Sequence, residues 1–223
     1  MQPFIKWAGG KRQLLPEIIG RLPKEFNNYY EPFIGGGALL LELQPKNAVI
    51  GDVNMTLIAT YKIIEETPNE LMKILSEYEI KHNNSDDKKV FYYEMRDSFN
   101  KKLENNIYDI YTSALFIYLN KTCFNGLYRV NSKGLFNVPF NNKKEVKIYD
   151  TDNIRNISKY MKYVDAAVRD FEETCRTACK GDFVFFDSPY VPLNDDSFQS
   201  YTKEGFSLEE HVRLSKLYKE LSD

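Results

Sequence analysis

The decapeptide GDFVFFDSPY, residues 181 to 190, runs four apolar side chains into a carboxylate, Asp187, followed by Ser188, Pro189 and Tyr190. At the mouth of a buried strand this grouping has a definite chemical use. Asp187 and the backbone carbonyl of Ser188 can each accept a hydrogen bond from an exocyclic amine, and Tyr190 can stack on the planar base that carries it. Two such acceptors would aim the nitrogen lone pair at a methyl donor, which is a positioning effect. They would also stabilise the positive charge that grows on nitrogen during transfer. Pro189 narrows the backbone freedom of the loop. Taken alone the stretch is an ordinary strand end and turn, so its meaning depends on partners elsewhere in the chain.

Three other stretches offer them. Gly35-Gly36-Gly37 follows the apolar run NNYYEPF (27–33) and precedes ALLLEL (38–43), a strand-to-helix turn at which a ligand can approach the backbone closely and a negative group is favoured. The glycines lack GxGxxG spacing, which argues against a dinucleotide. Asp52 closes the next strand, NAVIGD (47–52), where an acid can accept from ribose hydroxyls. In PFIKWAGGKRQLLPEI (3–18), two glycines precede Lys11 at an expected helix start, with an apolar stripe of Leu14, Leu15, Ile18 and Ile19. A cation there can pair with a carboxylate or phosphate. Glycine turn and strand-end acid together point to an adenosine-bearing cofactor, although each alone is more often a plain turn, a helix cap or a surface lysine.

The elements that must position these residues read as an α/β fold. Strands at 27–33 and 47–52 alternate with helices at 38–43 and 55–66, and sheet grammar resumes at 162–170 and 181–187. Between them, residues from Pro68 to Lys121 show helix after helix at i, i+3/i+4 spacing, then a Gly/Asn-rich excursion over 125–142. The economical division is a catalytic domain of residues 1–60 and 148–223, interrupted by a helical insertion of 61–147. An amphipathic helix is expected over 207–221. Composition, 43% hydrophobic and 28% charged, suits one domain with such an insertion. Cys123, Cys175 and Cys179 form no CxxC pair and the chain has only His82 and His211, so neither a disulfide framework nor a metal site is expected. No apolar run of about 18 residues indicates a membrane span. The net charge is −2, yet Asn120–Tyr149 holds Lys121, Arg129, Lys133, Lys143, Lys144 and Lys147 against Glu145 alone. That local excess becomes significant if something else points to a phosphate backbone.

Four blocks in order, PFIKWAGGKRQLLPEI, YYEPFIGGGAL, NGLYRVNSKGLFNVPF and GDFVFFDSPYVPL, make the chain resemble the Dam-type DNA adenine N6-methyltransferases. The resemblance spans nearly the whole chain. It implies a Rossmann-like fold, S-adenosylmethionine as cofactor and double-stranded DNA as partner, with GATC or a related short palindrome as target. It also implies an adenine flipped out of the duplex onto Tyr190. By the same resemblance Trp7 and Lys11 contact the cofactor near its methionine end. Glu31, Pro32, Phe33, Gly35, Gly36 and Gly37 cradle it, Asp52 holds its ribose, and Phe171, with Asp170 as a secondary candidate, meets its adenine. Asp187, Ser188, Pro189 and Tyr190 form the catalytic tetrapeptide, with Asp187 also beside the cofactor. Phe124, Asn125, Arg129, Asn131, Lys133, Asn137 and Pro139, with Lys143 and Lys144, form the DNA-reading region. A monomer in the cytoplasm of a bacterial or phage-infected cell is implied, alongside a cognate restriction endonuclease that it does not touch.

The chain departs from the family pattern in three places. Ser188 replaces a proline, but a backbone carbonyl is the group required there. Asn141-Asn142 stands where relatives carry Gly-Arg, which alters how outer bases are read. The family continues past the 207–221 helix, so the last strands of the catalytic sheet are expected to be missing. Asp187 is assigned hydrogen bonding and charge stabilisation, because a carboxylate is too weak a base to deprotonate a neutral amine. No cysteine lies near it in sequence to form a covalent intermediate. Two rival readings are a catalytically inactive DNA- or cofactor-binding homologue and an amino-methyltransferase acting on RNA or a free base.

Overall fold

Four short parallel strands carry the site, and residue chemistry sets their lengths. The computed structural model describes residues 1–189 and 205–222. Strands β1 (Tyr29–Glu31), β2 (Ala48–Asp52), β3 (Val164–Val168) and β4 (Phe183–Val184) form a sheet in the order β3-β2-β1-β4, with every pairing parallel. All three residues of β1 are buried, as a central strand covered on both faces requires. Interleaved helices complete the Rossmann-like α/β architecture that the sequence implied.

Both β1 and β4 are shorter than the apolar runs 27–33 and 181–187 suggested. Pro32 has no N–H to offer a neighbouring strand, so β1 stops at Glu31. At the other site Asp182 is engaged in a turn, accepting from Asn28 N and Nδ2 and from Cys179 N. Beyond Val184 one more ladder bond forms, Phe185 N–H to Tyr30 O at 2.8 Å.

The strand order creates the crevice. From β1 the chain moves outward to β2 and β3, then returns to lay β4 on the other side of β1. Ligands in open α/β sheets bind where the order reverses, beyond the carboxyl ends of the strands. Here those ends lead to Gly35–Gly37 and to Asp187.

Helix starts are dictated by side-chain caps. Asn54, Asp87, Asp109, Asp150 and Asp170 each accept from a first-turn N–H of α3 (Met55–Glu66), α5 (Lys88–Glu104), α6 (Ile110–Thr122), α7 (Thr151–Met161) and α8 (Phe171–Cys175). The helix after the glycine turn, α2 (Ala38–Leu43), buries Leu39, Leu40 and Leu41. Helix α6 is buried nearly all round and packs against α3, α4 (Pro68–Asn84) and α5, the behaviour of a helix apolar on every face. Helix α3 runs across residue 60 and packs on α7 and β3 as well as on α6.

One expectation fails near the N-terminus. Residues Lys11–Leu14 form a 3-10 turn and α1 is only Leu15–Ile19. So short a helix cannot bury a four-residue stripe: Leu14 and Ile19 are exposed, while Leu15 and Ile18 pack on the core. The C-terminal helix α9 spans Leu208–Ser222. Among the described residues no helix is long and apolar enough to cross a membrane.

Candidate active site

Gly35 and Gly37 have φ of +47° and +66°, the left-handed region that favours glycine. A Cβ on Gly35 would lie 2.6 Å from Trp7 Cδ1, and one on Gly37 would lie 2.5 Å from the Tyr61 hydroxyl. The loop therefore passes directly against the Trp7 indole, and Tyr61 O–H donates to Gly35 O at 3.2 Å to hold it there. Trp7 is itself stacked on Tyr128 of the insertion, ring centroids 5.7 Å apart.

Around this cradle stand three carboxyl groups. Asp52 Oδ1 accepts from Asn54 N at 2.9 Å and Oδ2 from Gly35 N at 3.3 Å, which joins the end of β2 to the loop after β1. Burial pushes the Asp52 carboxyl up to about 6, against the pull of those N–H donors. Glu31 is buried and accepts from Tyr29 O–H at 2.6 Å. Burial, opposed by the Tyr29 hydrogen bond and assisted by the charge of Asp187, raises it to about 8. The third is Asp187, which forms an ion pair with Lys11. Lys11 Nζ also donates to Gly9 O at 2.7 Å, so the N-terminal segment and the end of β4 meet across the crevice.

The two raised acids make stability fall with pH. Each binds its proton more tightly folded than unfolded, so the stabilisation is complete below the unfolded values near 4 and is lost as pH rises through about 6 for Asp52 and about 8 for Glu31. Unfolding of the unliganded protein is expected to become easier by up to a few kcal/mol between pH 5 and 8. Glu31→Gln should flatten the upper part of that slope in denaturant melts; an unchanged slope would contradict the burial of an acid at this position.

Phe33 and Phe171 lie face to face, centroids 5.7 Å apart, and Phe206 packs edge-on against Phe33. Asp170 caps α8 through Glu173 N and pairs with Arg213 of α9, so its carboxylate is already engaged within the protein. Pro32 is buried beside this wall. Ser188 and Pro189 are half-buried, and Tyr190 lies outside the described residues.

In the insertion, antiparallel bridges Cys123↔Phe140 and Val130↔Phe136 shape 123–140 into an irregular hairpin. Phe124 is 51% exposed at its base and Asn125 has φ +55°. Asn137 Oδ1 accepts from Arg129 Nε at 2.9 Å, which fixes the guanidinium plane. Asn131 Oδ1 accepts from the N–H groups of Lys133 and Leu135 and so closes the hairpin tip. Pro139 O accepts from Phe124 N, and Lys143 Nζ donates to Lys121 O. Lys133, Lys143 and Lys144 are exposed. A hollow of about 440 Å³ between Gln2–Phe4 and Lys147–Ile154 is lined by none of Glu31, Asp52, Asp187 or Gly35–Gly37.

Sequence reading missed Tyr61, Asn54, Tyr128 and Asn120. Only Asn54 carried a signal, as a capping residue before a helix; the others act through contacts distant in sequence.

A family model described as D12 class N6 adenine-specific DNA methyltransferase matches residues 7–223. A type II methyltransferase of Lactococcus lactis subsp. cremoris is 42% identical over 224 residues, covering 99% of this chain and 77% of that protein. A type II methyltransferase of Methanocaldococcus jannaschii is 43% identical over 233 residues, covering 99% and 80%. A DNA adenine methylase of Haemophilus influenzae is 32% identical over 222 residues, covering 99% and 75%.

Proposed function

The chain belongs to the D12 class of N6 adenine-specific DNA methyltransferases, and on that premise we propose how its residues divide the work. The methyl donor is S-adenosylmethionine and the target is a short duplex palindrome, GATC or a relative of it. The crevice suits this cofactor: a glycine turn admits close approach, and Asp52 and Asp187 offer carboxylate oxygens to a nucleoside bearing positive charge. When bound, the cofactor supplies an electrophilic methyl on a sulfonium centre.

The protein's own groups do the rest. Asp52 receives the ribose hydroxyls, the Gly35–Gly37 turn admits the cofactor chain, and the Phe33–Phe171 wall receives the adenine. Trp7 and Lys11 border its methionine end. Lys11 also orients Asp187 through their ion pair. Asp187 and the Ser188 carbonyl accept the two N–H bonds of the target amine, which fixes the lone pair and offsets the developing charge. Asp187 removes no proton beforehand; the proton leaves after transfer, when the nitrogen has become acidic. A duplex hides this amine, so the adenine must leave the stack, and Tyr190 provides the surface it rests on.

For the DNA, Phe124 is exposed to enter the stack, Arg129 is held flat by Asn137 to read a base edge, and Lys133, Lys143 and Lys144 meet phosphates. The type II names of two relatives support a restriction setting; in this reading a separate endonuclease acts on the same sequence and the methyltransferase works as a monomer.

The observation that carries this reading is the meeting of Lys11 and Asp187 beside the glycine turn at the sheet's switch point. Mapping of methylated adenines in DNA from cells expressing the chain should find one short palindrome modified on both strands. Modification scattered without a motif would contradict sequence reading by the hairpin. In the same assay Arg129→Ala should relax one base position, at a cost of about 1–3 kcal/mol in duplex binding.

A further inference from the structure

The segment Lys6–Lys11 touches three parts of the molecule. At its start Lys6 is gripped by Asn120, near the end of α6. Asn120 Oδ1 accepts from Lys6 N–H at 2.8 Å, and Nδ2 donates to Lys6 O at 2.8 Å and to Gly126 O at 2.9 Å. Asn120 is 2% exposed, and its amide donates two bonds and accepts one, a satisfied buried network of the kind that rigidifies its surroundings. Gly126 completes the grip: its φ is +66°, and a Cβ there would lie 2.6 Å from Lys6 Cδ. One residue along, Trp7 stacks on Tyr128 and covers Gly35. At the far end Lys11 pairs with Asp187.

The proposed recognition loop, the glycine turn and the catalytic carboxylate therefore share one short stretch of backbone. We propose that Asn120 is a positioning residue that couples DNA binding to cofactor binding. A duplex seated on residues 124–129 fixes Gly126, Asn120 passes that order to Lys6 and Trp7, and the glycine turn then binds the cofactor more tightly. This rests on the DNA and cofactor sites assigned above. By linkage the cofactor must tighten duplex binding by the same factor.

The test compares the dissociation constant of S-adenosylhomocysteine, which has no methyl to transfer, with and without saturating duplex carrying the methylation site. Trp7 is the only tryptophan in the chain, so its emission reports on the segment directly. The wild-type protein should bind the cofactor product about fivefold or more tightly with duplex present, and duplex should alter Trp7 emission. Asn120→Asp keeps the size and the acceptor for Lys6 N–H but loses both donated bonds; Asn120→Ala loses all three. Both should bring the ratio close to one while still binding duplex. Ser113→Ala, which removes from the same helix a buried hydroxyl with no hydrogen-bond partner among the described residues, should keep the wild-type ratio. A wild-type ratio of one, or Asn120 variants that retain the full ratio, would overturn the coupling. If neither Asn120 variant folds, the wild-type ratio and the Trp7 response still decide. A chain that binds neither ligand overturns the functional reading as well, whereas independent binding of both overturns the coupling alone.

Discussion

Asp187→Asn is expected to lower the turnover of methyl transfer by about 10²- to 10³-fold while changing duplex affinity little. Asparagine keeps the shape of the side chain and one acceptor oxygen, so the target amine can still be gripped. What is lost is the negative charge facing a nitrogen that becomes positive in the transition state. The Lys11 ammonium, only 16% exposed, loses its carboxylate partner and faces a neutral amide, so a modest loss of cofactor affinity should accompany the catalytic defect. The effect should therefore fall mainly on kcat and weakly on KM for DNA. Single-turnover rates with preformed complex separate chemistry from binding. A variant within about threefold of the wild-type rate would remove Asp187 from the transition state.

Gly35→Ala is expected to weaken cofactor binding by about 10- to 100-fold, a loss of roughly 1.4–2.8 kcal/mol. Its φ of +47° disfavours any side chain, by about 1–2 kcal/mol. The new methyl would also press on Trp7 Cδ1 from 2.6 Å, and that ring is held from behind by Tyr128. A rigid indole backed by another ring yields less than a flexible chain would. Gly36→Ala provides the contrast, because its nearest contact is 3.3 Å from Trp7 Cβ and its φ is not positive. Calorimetric titration should show Gly36→Ala within about fivefold of wild type. Equal losses at the two positions would place the cofactor elsewhere.

Local patterns carried the parts of the fold that are set locally. Apolar runs at 27–33, 47–52 and 181–187 marked strands of a parallel sheet, and glycines marked the turn between β1 and α2. The run of helices α4 to α6 was legible from periodicity, and the excursion after it from its glycines and asparagines. Strand ends were not, because Pro32 and Asp182 act through backbone hydrogen bonding that an apolar run does not report. The stripe at Leu14–Ile19 misled for a related reason: periodicity shows which face a helix would bury, and says nothing about whether the helix lasts long enough to bury it.

The links between the parts were hidden for a different reason. Lys11 meets Asp187 across 176 residues and Asn120 meets Lys6 across 114. The Trp7–Tyr128 stack is equally remote. The strand order β3-β2-β1-β4 places the end of β4 beside β1, where Lys11 reaches Asp187. Residue types announced what each side chain could do, while topology decided which of them meet.

The central claim is that this crevice moves a methyl group to the exocyclic nitrogen of adenine in duplex DNA. The most direct measurement incubates the purified protein with methyl-labelled S-adenosylmethionine and unmethylated duplex, then identifies the labelled nucleoside by mass spectrometry after digestion. Label should appear as N6-methyladenine, one S-adenosylhomocysteine should form per methyl transferred, and Asp187→Asn should lower both by about 10²- to 10³-fold at matched protein and time. Label on cytosine, or no label from a protein that binds both duplex and cofactor, would contradict it.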